Sequence, residues 1–101
     1  IDEIFIPPRP KDFRLVFHLY IVFAKDRDGL LKYCLEKGIS AKIHYPIPIY
    51  KQTALDYLGY KDGDFPVTDA HVEKIITFPC DQHLEKNQLE YIVNTVAEYY
   101  E

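Results

Sequence analysis

Gly38-Ile-Ser-Ala-Lys-Ile-His-Tyr-Pro-Ile-Pro-Ile-Tyr-Lys-Gln-Thr-Ala54 is the stretch on which the reading of this chain turns. Ile39, Ala41 and Ile43 alternate with Ser40, Lys42 and His44, the period of a strand with one apolar and one polar face. Gly38 stands where a preceding helix must turn left-handed to end. Pro46 and Pro48 cannot donate to a sheet, and Ile47 is held extended by the proline after it. The stretch therefore ends a helix, runs as a strand over Ile39 to Tyr45, and leaves the sheet as a stiff segment. His44, Tyr45, Tyr50 and Gln52 gather at that break, the densest group of chemically able side chains at any strand end of the chain.

On the N-terminal side, Asp26 to Lys37 reads as the helix that Gly38 closes. Asp26 suits the N-cap and Asp28 the first turn. Leu30, Leu31, Cys34 and Leu35 form its buried stripe, which makes Cys34 a small core hydrophobe. Before it, Phe13 to Ala24 is the strongest strand, with Leu15, Phe17, Leu19, Ile21 and Phe23 on one face and Val16, His18, Tyr20 and Val22 on the other. Both faces are largely apolar, so the strand is expected to be central and covered on both sides, one of them by another domain or subunit. Residues 1–12 carry Pro7, Pro8 and Pro10 and read as a linker or an edge-hugging lead-in, whose apolar Ile4, Phe5 and Ile6 need a surface from this domain or from a missing neighbour. Residues 13–101 are then one small domain.

On the C-terminal side, Gln52 to Leu58 predicts a short helix, followed by turns at Gly59 and Asp62-Gly63. Val67 to Lys74 is a second short helix that Thr68 could cap. Ile75 to Phe78 is a short strand ended by Pro79, and Cys80 to His83 a loop. Glu85 to Tyr99 is the last helix, with Leu89, Ile92, Val93, Val96 and Tyr100 on one face. The order predicts an α+β fold: a small, mostly antiparallel sheet of three or four strands with helices on one face.

Composition bounds the function. A chain of 101 residues with 48% hydrophobic and 28% charged residues is a single globular domain. A formal net charge of −4, with lysines scattered among acids, argues against a nucleic-acid-binding face. Cys34 and Cys80 lack zinc or redox spacing, and there is neither a leader-like apolar stretch nor a membrane-spanning run. A cytoplasmic protein with reduced thiols is the expectation, with no membrane and no nucleic acid among its partners. The first residue is Ile, which suggests an excised piece of a longer chain.

Chemistry legible from residue types alone is sparse. His18 and His44 fall on the face away from the predicted helices, but no third ligand accompanies them, so no metal site is assigned. Each imidazole is expected to hydrogen-bond at an interface. His71 and His83 read as exposed, and nothing near Cys80 would depress its pKa. Phosphate-binding glycine loops, nucleophile elbows and zinc-protease motifs are all absent.

Four blocks in fixed order carry a resemblance: His18-Leu-Tyr-Ile-Val; Leu35-Glu-Lys-Gly-Ile-Ser-Ala-Lys-Ile-His-Tyr-Pro-Ile-Pro-Ile-Tyr-Lys-Gln; Phe65-Pro-Val-Thr-Asp-Ala; and Phe78-Pro-Cys-Asp-Gln-His-Leu. Together they resemble the C-terminal domain of DegT/StrS-type nucleotide-sugar aminotransferases, across roughly residues 8 to 100. The resemblance implies the small domain of the type I aminotransferase fold. It implies a homodimer that uses pyridoxal phosphate to move an amino group, usually from glutamate, onto a keto group of a nucleotide-linked sugar. The Schiff-base lysine and the acid facing the pyridine nitrogen belong, in that family, to the large domain. No lysine here matches the former, so no catalytic or cofactor-binding residue is assigned, and the chain alone is expected to be inactive and free of cofactor.

His44 and Tyr45 match the family's His-Tyr-Pro, and Gln52 a downstream glutamine. Tyr50 departs from a common histidine, which removes a group that titrates near neutral pH. His44, Tyr45, Tyr50 and Gln52 are thus candidate substrate-binding residues. Packing of the same tyrosines and prolines against a large domain is the competing reading. A stand-alone binding or regulatory module, and a non-sugar member of the superfamily, are the alternative functions.

Overall fold

A computed structural model describes all of residues 1–101. Its sheet has three strands, β1 (Ile4–Phe5), β2 (Tyr20–Ala24) and β3 (Ile75–Phe78), in the order β1-β2-β3 and antiparallel throughout. Three α-helices, α1 (Arg27–Glu36), α2 (Pro66–Val72) and α3 (Lys86–Tyr100), and two short 3₁₀ segments, Ile49–Lys51 and Thr53–Leu58, complete it. This is the α+β layer that the order of elements predicts.

The core lies on one face of the sheet. Val22 and Ala24 of β2 and Ile76 and Phe78 of β3 point into it, against Leu30 and Cys34 of α1, Val96 of α3, and Ile39 and Ala41. Val22, Leu30 and Ile76 are almost wholly buried, and each such side chain contributes about 1.5–3 kcal/mol by leaving water. On the other face Ile21, Phe23 and Ile75 are half-buried, and His71 of α2 stacks on Phe23 at 4.7 Å. Arg27 fixes α2 to the sheet by donating to the carbonyls of Val72 (2.8 Å) and Ile75 (3.2 Å). No helix is long and apolar enough to cross a membrane.

Several local expectations are corrected. The Phe13 to Ala24 run pairs only from Tyr20 onward, because β3 is four residues long and Pro79 ends it just beyond the Tyr20–Phe78 pair. Phe13 (71% exposed) and Val16 (86%) lie outside the sheet. The lead-in does run along the sheet edge, one of its two expected forms: Ile4 pairs with Ala24 and Phe5 with Phe23. The Ile39 to Tyr45 strand is reduced to one two-bond rung, Lys42 against Thr77 (2.8 and 3.0 Å), for the same want of partners. Its alternation survives: Ile39 and Ala41 are buried, Ser40 and Lys42 exposed.

Asp26 precedes α1 in the left-handed region (φ 49°) and makes no side-chain cap. Its carboxylate instead accepts from the Tyr99 hydroxyl at 2.5 Å. Leu35 is exposed, on the side of α1 away from Leu30 and Cys34. Thr68 sits inside α2, which starts at Pro66, a residue whose missing N–H costs nothing there. The end of α1 follows the expectation. Gly38 (φ 77°) follows Lys37, its N–H donates to the Leu35 carbonyl at 3.0 Å, and the Ile39 N–H reaches the Cys34 carbonyl at 2.8 Å. That closure aims residues 39–44 along the edge of β3. Helix α3 opens with a capping box between Glu85 and Gln88. Its Leu89 and Val93 remain exposed beside an apolar groove shared with Ile4, Phe17 and Leu84.

Candidate functional site

The rung between Lys42 and Thr77 places His44 two residues on, beside the same strand. His44 Nδ1 lies 3.0 Å from Thr77 Oγ1, and the ring is half-buried. Tyr45 follows, 66% exposed, its ring edge-on to His44 with centroids 5.4 Å apart. Pro46 and Ile47 are exposed, and Pro48 is buried, so the segment lifts off the sheet and is pinned again at Pro48.

A shallow cavity of about 210 Å³ opens beside His44. Its lining includes His18, Ser40, Lys42, Thr77 and Cys80, and no Asp or Glu. The two histidines that alternation put on one face do share a site. No three His, Cys, Asp or Glu side chains are arranged to hold a metal ion.

Tyr50 and Gln52 sit elsewhere on the break. The Tyr50 hydroxyl donates to Asp69 Oδ1 at 2.5 Å, and its ring packs on Phe65 at 4.9 Å. Lys51 pairs with Asp62 (2.9 Å) and Asp69 (3.6 Å), and the Gly63 N–H donates to Asp69 Oδ2 (3.2 Å). Desolvation, then the Asp69 carboxylate, pushes the Tyr50 phenol up. The Tyr50 hydrogen bond holds Asp69 below the ordinary carboxylate value, and Asp62 leads in raising Lys51. Gln52 donates from Nε2 to the Ile47 carbonyl at 3.3 Å and so braces the proline segment. Neither side chain hydrogen-bonds or stacks with His44. The structure thus brings His44 and Tyr45 together and gives Tyr50 and Gln52 partners within the loop.

Thr77 and Asp69 escaped the sequence reading. Thr77 had a signal: it is the polar residue within the apolar Ile75 to Phe78 run. Asp69 had none, because its contact with Tyr50 depends on how the Gly59 and Gly63 turns fold the chain back.

Pyridoxal phosphate is held through a Schiff base to a lysine, with a separate acid at its pyridine nitrogen, in a site that fixes the ring. All nine lysines here are exposed. The residues of this chain do not by themselves fit that group.

Comparison with known proteins agrees with this anatomy. The profile of the DegT/DnrJ/EryC1/StrS aminotransferase family matches residues 2–97. A pleiotropic regulatory protein of Geobacillus stearothermophilus is 32% identical over 99% of the chain and 27% of its own length. The dTDP-3-amino-3,6-dideoxy-alpha-D-galactopyranose transaminase of Aneurinibacillus thermoaerophilus is 30% identical over 95% of the chain and 26% of its own length. S. venezuelae DesV, solved in complex with a ketimine intermediate, superposes with a TM-score of 0.91 at 27% identity, over 98% of this chain and 27% of that one. The chain spans about a quarter of the length of these relatives. With a family match over residues 2–97 and a shared fold, the chain belongs to the DegT/DnrJ/EryC1/StrS aminotransferase family.

Proposed function

We propose that these residues form the substrate-facing small domain of an aminotransferase. It would use pyridoxal phosphate to carry an amino group from glutamate to a keto group on a nucleotide-linked sugar. The rest of the protein would hold the cofactor, whose ring supplies the electron sink for the transfer. Residues 1–12 would lead in from that larger domain, and the full-length protein would be a homodimer. Here the chain's own contribution is binding and orientation. His44, fixed against Thr77, and exposed Tyr45 form the wall that meets substrate, and Tyr50 and Gln52 hold the segment that carries them.

The observation that carries this reading is the cavity beside His44. In a chain of net charge −4 it is lined by Lys42, His18 and His44 with no carboxylate. Such a site favours an anionic group, and the phosphates of a nucleotide-linked sugar supply one. The transaminase named above for a dTDP-linked amino sugar supports the same substrate class.

The test is amination by the full-length protein of a panel of nucleotide-linked keto sugars, with glutamate as donor. Turnover of at least one, absent for the same sugars without the nucleotide, is the expected result. No amination of any nucleotide-linked sugar, with turnover of simple keto acids instead, overturns the substrate assignment. The chain of residues 1–101, given pyridoxal phosphate and then borohydride, should trap no stoichiometric lysine adduct. A single-site adduct would move the chemistry into this domain.

A further inference from the structure

Thr77 is held on both sides. Its backbone exchanges two hydrogen bonds with Lys42 (2.8 and 3.0 Å), and across the other edge it faces Ile21 in the β2–β3 register. Its side chain is β-branched and buried, 6% exposed, so the hydroxyl has little freedom to move. That hydroxyl has one partner, His44 Nδ1. His44 in turn has one partner, so its Nε2 edge is unclaimed by the protein.

These inventories favour one tautomer. If Nδ1 carried the proton, it would donate to Thr77 Oγ1, and the buried hydroxyl proton would be left without an acceptor. If the hydroxyl donates to Nδ1, every buried group is satisfied and the imidazole proton sits on Nε2. We propose that Thr77 is a positioning residue that holds His44 as the neutral Nε2–H tautomer, so that His44 offers the cleft a hydrogen-bond donor. The group it takes is an oxygen of the bound substrate, a phosphate or carbonyl oxygen, and not a proton to be abstracted. This rests on the substrate-facing role assigned to His44 above, but the tautomer is measurable without any substrate.

The experiment labels histidine with ¹⁵N in the full-length protein and reads the ring tautomer of His44, identified by its loss in His44→Gln. Wild type should show Nε2 protonated and Nδ1 bare at neutral pH. Thr77→Val keeps the shape of the side chain and removes the hydroxyl. It should abolish the single tautomer and raise KM for the nucleotide-linked keto sugar about tenfold, the equivalent of one orienting hydrogen bond, with kcat altered by less than about twofold. Thr77→Ser should restore both. A proton on Nδ1 in wild type, or a Thr77→Val protein with unchanged tautomer and KM, overturns the proposal. Should the valine variant not fold, the wild-type tautomer decides alone. Failure to aminate any nucleotide-linked sugar would remove the function proposed above and leave the tautomer result standing.

Discussion

The Tyr50 hydroxyl donates to the Asp69 carboxylate at 2.5 Å, and this bond ties the chain leaving the sheet to helix α2. The same bond leads in holding Asp69 below its ordinary value of 3.8. For a carboxyl depressed in the folded state, the linked stability is complete above the unfolded value and is lost as pH falls through the folded one. The contribution is therefore present at neutral pH and disappears below 3.8. Tyr50→Phe should lower the urea midpoint at about pH 6, and the gap to wild type should narrow at about pH 2.5. A gap that stays constant across that range would show that Asp69 ionisation has no share in the bond.

Gly29 lies under the Tyr99 hydroxyl. A Cβ there would run into Tyr99 Oη and the Asp26 carboxylate that Tyr99 binds. Alanine is otherwise the better helix former, by up to about 1 kcal/mol. Gly29→Ala should thus destabilise the wild-type protein by displacing the Tyr99–Asp26 bond, and cost less once Tyr99→Phe has removed the hydroxyl and left the Asp26 carboxylate free to turn aside. Thermal or urea unfolding of the four proteins in this cycle measures the coupling. Additive effects would mean that the two groups do not compete for space.

Gly38 has open space around it, so no side chain is excluded by contact. What excludes one is φ, which at 77° is left-handed. Gly38→Ala should cost about 1–2 kcal/mol, and Gly38→Asn less, because asparagine tolerates that region better. Equilibrium unfolding of the three proteins gives the order. Alanine equal to glycine would show that the end of α1 relaxes freely, and residues 39–44 would then have no fixed aim.

The fold was legible where local patterns and local chemistry coincide. Alternation at Ile39, Ala41 and Ile43, the Gly38 stop and the apolar Ile75 to Phe78 run need no distant partner to be read. Strand lengths were not legible, because a strand lasts only as long as its neighbour. The Phe13 to Leu19 run has every sequence mark of a strand and lies unpaired because Pro79 ends β3. The cap at Asp26 failed because its backbone is left-handed (φ 49°) instead of extended, and its carboxylate accepts from Tyr99, 73 residues away. Around the candidate site, His44 and Tyr45 stand out by their place at the break, and the family resemblance made them candidates. Their support could not be read, since Thr77 meets His44 from a segment 33 residues further along.

His44 and His83 make a controlled pair: one lines the cavity and the other does not. His83 is exposed on a loop, and its ring hydrogen-bonds only with the neighbouring Gln82, so His83→Ala should leave kinetics unchanged. His44→Ala removes a half-buried ring braced on Thr77 and lining the cavity with Lys42 and His18, and kcat/KM of the full-length protein for the proposed reaction should fall about tenfold or more. Two isosteric replacements then separate the ring edges. A glutamine amide can place an N–H near the position of Nε2, whereas an asparagine amide reaches only as far as Nδ1. If the donor at Nε2 is what substrate uses, His44→Gln should retain more activity than His44→Asn. Its activity should also stay flat across the pH range in which a free imidazole titrates, because an amide has no proton to lose there. Equal loss in both variants would mean that the ring serves as packing for Tyr45, and wild-type kinetics in His44→Ala would take this residue out of the site.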